Sequence, residues 1–139
     1  LEQLYQNLSQ LKARSVTVGL EAWFSGLSQE SKVVTHASPI FVRQRPTAVP
    51  ENITLIAAGS AEQIASWEQD RSHGLFTKYY LKAMSGEADQ SPIGNGDGEV
   101  SLDEVKQYLQ ETMTYWARRY YGREQVVQIQ SSSTQGGVQ

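Results

Sequence analysis

The chain of 139 residues contains no cysteine, which excludes disulfides, thiolate metal sites and any cysteine nucleophile within it. It also lacks an excess of positive charge, because 15 Asp and Glu outnumber 12 Lys and Arg for a net charge of -3. Without a basic surface, neither nucleic acid nor an anionic membrane is an expected partner. No apolar run is long enough to cross a bilayer, and the first residues lack the pattern of a signal peptide.

The composition that remains is that of a folded domain, since 39% hydrophobic and 19% charged residues are too apolar for a disordered chain. The length corresponds to about one domain. The sequence does not begin with methionine and starts within an amphipathic pattern, so we expect a piece of a longer protein. The lack of cysteine leaves the compartment undetermined, with the cytoplasm slightly favoured.

Apolar residues that recur every three or four positions predict three amphipathic helices, at residues 1–13, 75–86 and 102–121. Gly86 and Gly122 are placed to end the second and third helix. Runs of β-branched residues predict strands at 15–20 and 53–58, and alternation predicts a strand at 124–130. The run at 53–58 is apolar throughout, which is typical of a strand covered on both faces.

This order of elements predicts an α/β fold with a mostly parallel central sheet flanked by helices. Three amphipathic helices are too many for two or three strands to cover. We therefore expect half of a doubly wound domain, whose first strands lie before residue 1. The long irregular connection at 27–52 is expected to be functional or to hold a small hairpin, and 131–139 is expected to be a flexible tail.

The first predicted strand is followed directly by the segment Glu21-Ala-Trp-Phe-Ser-Gly26. This segment lies at the carboxyl end of a strand, where α/β proteins place reactive groups. The segment resembles that of caspase-like peptidases of the metacaspase and bacterial branch (peptidase C14 type), which has Asp-Ala-Cys-Phe-Ser-Gly with Cys as the nucleophile. Four further motifs follow in the family's order: the strand 53–59, Ala65-Ser66, His73-Gly-Leu-Phe-Thr77, and Gly86-Glu-Ala-Asp89 with Asn95-Gly-Asp-Gly98.

The resemblance covers residues 1–130 and implies a caspase-like, hemoglobinase-type three-layer fold, of which this chain supplies the C-terminal part. Trp23 stands at the position of the nucleophile and Glu21 at the preceding acidic position. An indole has only an N–H donor and cannot attack a carbonyl. The family's catalytic histidine lies upstream of its cysteine, and neither His36 nor His73 matches it, so we expect both to be surface or capping residues.

The lost nucleophile implies a pseudoprotease, a module of proteolysis-related fold that binds or regulates without hydrolysing, with Trp23 filling the former cleft. Its expected partners are the missing N-terminal half of the domain or another chain, or a peptide or protein. The alternative is a subunit or fragment of a caspase-like cysteine endopeptidase whose active residues come from another chain. A structural domain without a ligand is the third possibility.

Residues 93–104 match an EF-hand calcium loop from its third position onward. The candidate ligands are Asn95, Asp97, Glu99 and Glu104. Ile93 occupies the first ligand position, and Asp89 reaches the loop only if residues 90–93 loop out. The alternative is ordinary turn chemistry followed by a capping box between Ser101 and Glu104. No cofactor is required by the sequence, and calcium is the one candidate.

The segment Tyr115-Trp-Ala-Arg-Arg-Tyr-Tyr121 interleaves aromatic residues with arginines, a composition that suits base stacking. Trp116 and Tyr120 belong to the apolar stripe of the predicted third helix, so we expect core aromatics and a solvated, basic helix end instead. The acidic residues Glu62, Glu68 and Asp70 are expected to lie in a loop, with no assigned partner.

Overall fold

The computed structural model describes residues 2–21, 48–59, 66 and 72–131. The helices are α1 (Glu2–Ser9), α2 (Leu75–Met84), α3 (Leu102–Leu109) and α4 (Tyr115–Tyr121), and a π-helical segment, Gln110–Thr114, joins the last two. The strands are β1 (Val16–Leu20), β2 (Ile53–Ala57) and β3 (Gln128–Ser131). A 3-10 turn, Glu87–Asp89, follows α2. Within the described residues, no helix combines the length and hydropathy that crossing a membrane requires.

The three strands form one sheet in the order β1-β2-β3. β1 runs parallel to β2, with Val16 opposite Ile53, whereas β3 runs antiparallel to β2, with Thr54 opposite Ser131. The expected α/β class is confirmed. The sheet is mixed, because only one of its two strand pairings is parallel.

The main core lies on one face of β2 and contains Ile56 and Ala58 together with the inner faces of α2, α3 and α4. Its buried helical residues are Leu75, Phe76, Tyr79, Ala83, Val105, Tyr108, Leu109, Met113 and Ala117. A second cluster, of Tyr5, Ile53 and Leu55, lies on the other face, beneath α1. β2 is therefore covered on both faces, as its apolar run predicts.

The first helix is shorter than predicted. It ends at Ser9, so the expected bounds 1–13 are wrong at the C-terminal end, and Tyr5 is its only buried residue. Leu4 and Leu11 are 43% and 52% exposed, and Leu8 is half-buried. The periodicity locates the helix but overstates the surface that it buries.

The predicted helix 102–121 has the expected extent but contains the π-helical segment. Two threonines in this segment bond to main-chain carbonyl oxygens: Thr112 Oγ1 donates to Tyr108 at 2.6 Å, and Thr114 Oγ1 donates to Gln125 at 2.6 Å. The bond of Thr112 is to the carbonyl four residues earlier and competes with the regular helical ladder, whereas that of Thr114 ties the helix to the segment before β3. The helix ends at Gly122 with a φ of 60°, and Gly86 follows α2 with a φ of 105°, as expected for left-handed positions that favour glycine.

The last predicted strand, 124–130, is wrong in its first half, because β3 begins at Gln128. Gln125 and Val127 are buried ahead of it in a connecting segment. Ser131 belongs to β3 rather than to the predicted tail, and residues 132–139 lie outside the described residues. The connection predicted over 27–52 is described only from residue 48.

Candidate functional site

The end of β1 is tied to the start of α2 by Glu21, which the resemblance described above puts at an acidic position. Its carboxylate accepts hydrogen bonds from the backbone N–H groups of Phe76 at 3.3 Å and Thr77 at 3.1 Å, and from the Thr77 hydroxyl. These N–H groups belong to the first turn of α2, where no intrahelical acceptor exists. Glu21 therefore caps α2 from a distant part of the chain, and its negative charge is favourable at the helix N-terminus.

Gly74, the residue before α2, makes this approach possible. A Cβ atom at position 74 would lie 2.1 to 2.2 Å from the carboxylate atoms of Glu21. The φ of Gly74 is -66°, so glycine is needed here for space and not for conformation. Two separate motifs of the sequence, the strand end at Glu21 and the segment 73–77, thus meet in one contact that the sequence analysis did not predict.

Several predicted residues lie outside the described part of the chain: Trp23, His36, Glu62, Glu68 and Asp70. His73 is described, and it is exposed, with its Nδ1 atom 3.0 Å from Ser72 Oγ. This placement confirms the prediction of a surface histidine at position 73.

The segment 89–104 contains the predicted calcium ligands, and its turn at 96–98 folds around the carboxylate of Asp89. Asp89 is 9% exposed, and its carboxylate accepts hydrogen bonds from three consecutive backbone N–H groups: Gly96 at 2.9 Å, Asp97 at 3.1 Å and Gly98 at 2.9 Å. Residues 90–94 turn back on themselves, with Gly94 N donating to Gln90 O at 2.8 Å. The intervening residues thus loop out. This is the condition under which Asp89, in place of Ile93, was predicted to reach the first ligand position of the loop.

Glu104 closes the other end of the same segment. Its carboxylate accepts from Asn95 N at 3.1 Å, Ser101 N at 2.8 Å and the Ser101 hydroxyl at 2.9 Å. Ser101 Oγ in turn accepts from Glu104 N at 3.3 Å, so the predicted capping box at the start of α3 is confirmed. Hydrogen bonds from the backbone of Ser101 and Asn95 lower the pKa of Glu104.

Asp97 and Glu99 lie on the exposed side of the segment. Asp97 accepts a hydrogen bond from Glu99 N at 2.9 Å and one from the Asn95 side-chain amide at 2.9 Å, and these bonds lower its pKa. The Glu99 side chain is exposed. The carboxylates of Asp89, Asp97 and Glu104 are all directed to donors of their own segment. Within the described ranges, no three or more His, Cys, Asp or Glu side chains are arranged to hold a metal ion.

A buried polar contact near β3 was missed by the sequence analysis. Gln125 is fully buried, and its Oε1 atom accepts from Ser66 N at 2.8 Å, while Ser66 O accepts from Leu75 N at 2.8 Å. The Ser66 hydroxyl is buried and has no hydrogen-bond partner among the described residues. Gln125 thus connects the segment before β3 to Ser66, which in turn is bonded to the first residue of α2. The only sequence signal was the similarity of Ala65-Ser66 to a family motif.

The aromatic and arginine segment at 115–121 has the expected arrangement only in part, because Tyr120, expected in the core, is half-buried and the core contact is made by Tyr121, which was expected at the solvated helix end. Trp116 and Tyr121 pack against the main core, and Trp116 stacks on Tyr120 with ring centroids 4.8 Å apart. Arg118 forms an ion pair with Glu124 at the exposed helix end. Tyr115 alone among these aromatics is strongly exposed, at 50%.

Comparisons of the chain with protein-family models, with curated proteins and with solved structures found no match.

Proposed function

We propose that this chain is a catalytically inactive caspase-like domain, a pseudoprotease that acts as a binding or regulatory module. The chain contains no cysteine, and the resemblance puts Trp23 at the nucleophile's position. One contact supports the proposal above the others: Glu21, at the acidic position of the motif, caps α2 through both carboxylate oxygens. A carboxylate held in this way stabilises the junction of strand and helix and is not free to act on a substrate.

The alternative is that the chain belongs to an active caspase-like cysteine endopeptidase, with the nucleophile supplied by another chain. The two possibilities differ in what a restored thiol does. A cysteine needs an adjacent base to form a reactive thiolate near neutral pH, because its free pKa is about 8.5. Glu21 is engaged in capping α2 and His73 is exposed beside Ser72, so we assign neither of them as that base.

The test assays the parent chain and Trp23→Cys, in the full-length protein, against Arg-, Lys- and Asp-directed peptide substrates. We expect no hydrolysis by either, and Trp23→Ser is the matched control for loss of the indole without a thiol. Hydrolysis by the parent would contradict the pseudoprotease. Hydrolysis by Trp23→Cys alone would show that a catalytic base is present and that only the nucleophile was lost.

Calcium binding by the segment 89–104 is a separate proposal, favoured by the position of Asp89 beside Asn95 and Asp97. Such a site would take oxygen ligands from these residues and from Glu104. Binding to the folded state alone would raise the melting temperature by mass action. We expect millimolar calcium to raise it in the parent and not in Asp97→Ala, with Glu111→Ala, an exposed carboxylate outside the segment, as the control. An unchanged parent melting temperature would leave only the capping box.

A further inference from the structure

One asparagine of the chain, Asn95, is followed directly by a glycine, and both residues are exposed. Asparagine is a labile residue, and a following glycine makes it more so, because a residue without a Cβ lets its main-chain N approach the side-chain amide. The other asparagines, Asn7 and Asn52, are followed by leucine and isoleucine, whose side chains hinder that approach. Asn95 is therefore the residue of this kind at which spontaneous covalent chemistry is expected.

The reaction is deamidation through a cyclic imide. The main-chain N of Gly96 attacks Cγ of Asn95, so that the N–Cγ bond forms and the bond from Cγ to Nδ2 breaks. Nδ2 leaves as ammonia with the proton that Gly96 N has lost. Water then opens the imide at either of its carbonyl carbons and gives aspartate or isoaspartate at position 95. Water is the co-reactant, and nothing is oxidised or reduced.

The Asn95 side chain is already folded toward the main chain that follows it. Its Oδ1 atom accepts a hydrogen bond from Asp97 N at 2.8 Å, and its Nδ2 atom donates to Asp97 Oδ2 at 2.9 Å. This turn, in which a side-chain oxygen bonds to the N–H two residues on, keeps the amide next to Gly96. The two reacting groups are thus held close together, which favours a reaction between them.

The attacking atom, however, is restrained by Asp89. Gly96 N donates to two oxygens of that residue, the carboxylate Oδ1 at 2.9 Å and the main-chain O at 2.8 Å. Attack requires Gly96 N to lose its proton, and these bonds keep the proton in place. A carboxylate is far too weak a base to remove a proton from an amide. The contact with Asp89 therefore opposes the reaction and does not catalyse it.

We propose that Asn95 is a deamidation site and that Asp89 keeps it unreactive while the segment 89–104 is folded. Local opening of the segment releases Gly96 N, so the rate of modification follows the population of the open form. The product adds a negative charge beside Asp97, and its isoaspartate form lengthens the main chain. Both changes act against closure of the segment. The inference depends neither on calcium binding nor on the loss of catalysis.

The test incubates the full chain at neutral pH in EDTA, so that calcium plays no part, and compares the folded chain with the same chain in concentrated urea. Proteolysis and mass spectrometry locate the acid product, and chromatography separates the aspartate and isoaspartate peptides. We expect modification at Asn95 and not at Asn7 or Asn52. The folded chain should react at least about tenfold more slowly than the unfolded one.

Variants separate the two sets of hydrogen bonds. Asp89→Ala removes the carboxylate from Gly96 N and should speed modification of the folded chain about fivefold or more. Asp97→Ala releases Asn95 Nδ2 and should have a smaller effect, because Gly96 N stays bonded. Asp103→Ala, which removes an exposed carboxylate of α3, is the matched control and should leave the rate unchanged. In urea, all of these chains should react at about the parent's rate.

Circular dichroism establishes which variants are folded, and the comparison of folded and unfolded parent decides the proposal even if Asp89→Ala does not fold. Three results would overturn it. The first is no modification of Asn95 in urea, because the site would then not be labile. The second is an equal rate in the folded and unfolded parent. The third is an unchanged or slower rate in folded Asp89→Ala, because the carboxylate would then not protect Gly96 N.

Discussion

The contact between Glu21 and the N-terminus of α2 gives the sharpest test of the structure. Removing the carboxylate in Glu21→Ala deprives the backbone N–H groups of Phe76 and Thr77 of their acceptor. Loss of a helix cap costs about 0.5 to 2 kcal/mol, and loss of a charge at the helix N-terminus about 0.3 to 1 kcal/mol. We expect Glu21→Ala to lower the free energy of unfolding by about 1 to 3 kcal/mol.

Gly74→Ala makes the prediction specific to this contact. The added Cβ would meet the Glu21 carboxylate at 2.1 Å, so the carboxylate must move and the cap is lost. In a Glu21→Ala background this clash is gone, and the φ of -66° suits alanine. Because the Glu21 side chain can swing away, the cost of Gly74→Ala in the parent should be at most that of losing the cap, about 1 to 3 kcal/mol, and it should be below about 0.5 kcal/mol, or even favourable, in Glu21→Ala.

Urea unfolding of the four chains of this double-mutant cycle, followed by circular dichroism, measures the coupling directly. Glu99→Ala is the control, because Glu99 is exposed and its substitution should change stability by less than about 0.5 kcal/mol. Additive effects of Glu21→Ala and Gly74→Ala would refute the contact. Equal m-values across the cycle show that the denatured state is unchanged.

Two further outcomes follow from buried and hydrogen-bonded polar groups. Ser66→Ala removes a buried hydroxyl that has no partner in the described part of the chain, so it should be neutral or stabilising. Gln125→Leu leaves Ser66 N without its acceptor and should cost about 1 to 3 kcal/mol in urea unfolding, and the reverse order of the two effects would contradict the contact. The pKa values of Glu87, Asp97 and Glu104 are lowered, chiefly by hydrogen bonds from Tyr108, Glu99 N and Ser101 N respectively, so their contribution to stability is present above the ordinary values of 4.5, 3.8 and 4.5 and is lost as the pH falls through the lowered ones. The free energy of unfolding should thus be level near neutral pH and decline below about pH 4.5, and Glu104→Gln should reduce that decline.

Elements with a strong local signal were predictable from the sequence. The β-branched runs located β1 and β2, because a strand that is buried on a sheet face selects such residues along its whole length. Gly86 and Gly122 located the ends of α2 and α4, because only a left-handed residue closes a helix in that way. The capping box at Ser101 was also predictable, since its two members are three residues apart.

Contacts between distant residues were not predictable in the same way. Glu21 lies 55 residues before Phe76, and Ser66 lies 59 residues before Gln125, so no spacing rule connects them. The bond from Thr114, at the end of the π-helical segment, to Gln125 likewise exists only because the chain returns toward β3. These three features need the tertiary fold before their chemistry can be inferred.

Asp89 lies between these two cases. The sequence predicts that Asp89 joins the segment 95–104 only if residues 90–93 loop out. Local spacing does not determine whether they do. Gly94 allows the turn to close, because a Cβ atom at position 94 would lie only 2.1 to 2.3 Å from the backbone atoms of Asp89. The backbone N–H groups of Gly96, Asp97 and Gly98 then donate hydrogen bonds to the buried carboxylate of Asp89 in place of water.

The exposure of α1 also shows what local spacing cannot determine, namely how much of a helix is buried. Its leucines recur with helical spacing, yet only Tyr5 is buried, while Val16, Val18 and Leu20 below it remain half-exposed. Helical spacing places these leucines on one face of α1, but it does not determine what lies against that face. Among the described residues only β2 and the second cluster do so, which is why the periodicity located α1 and overstated its burial.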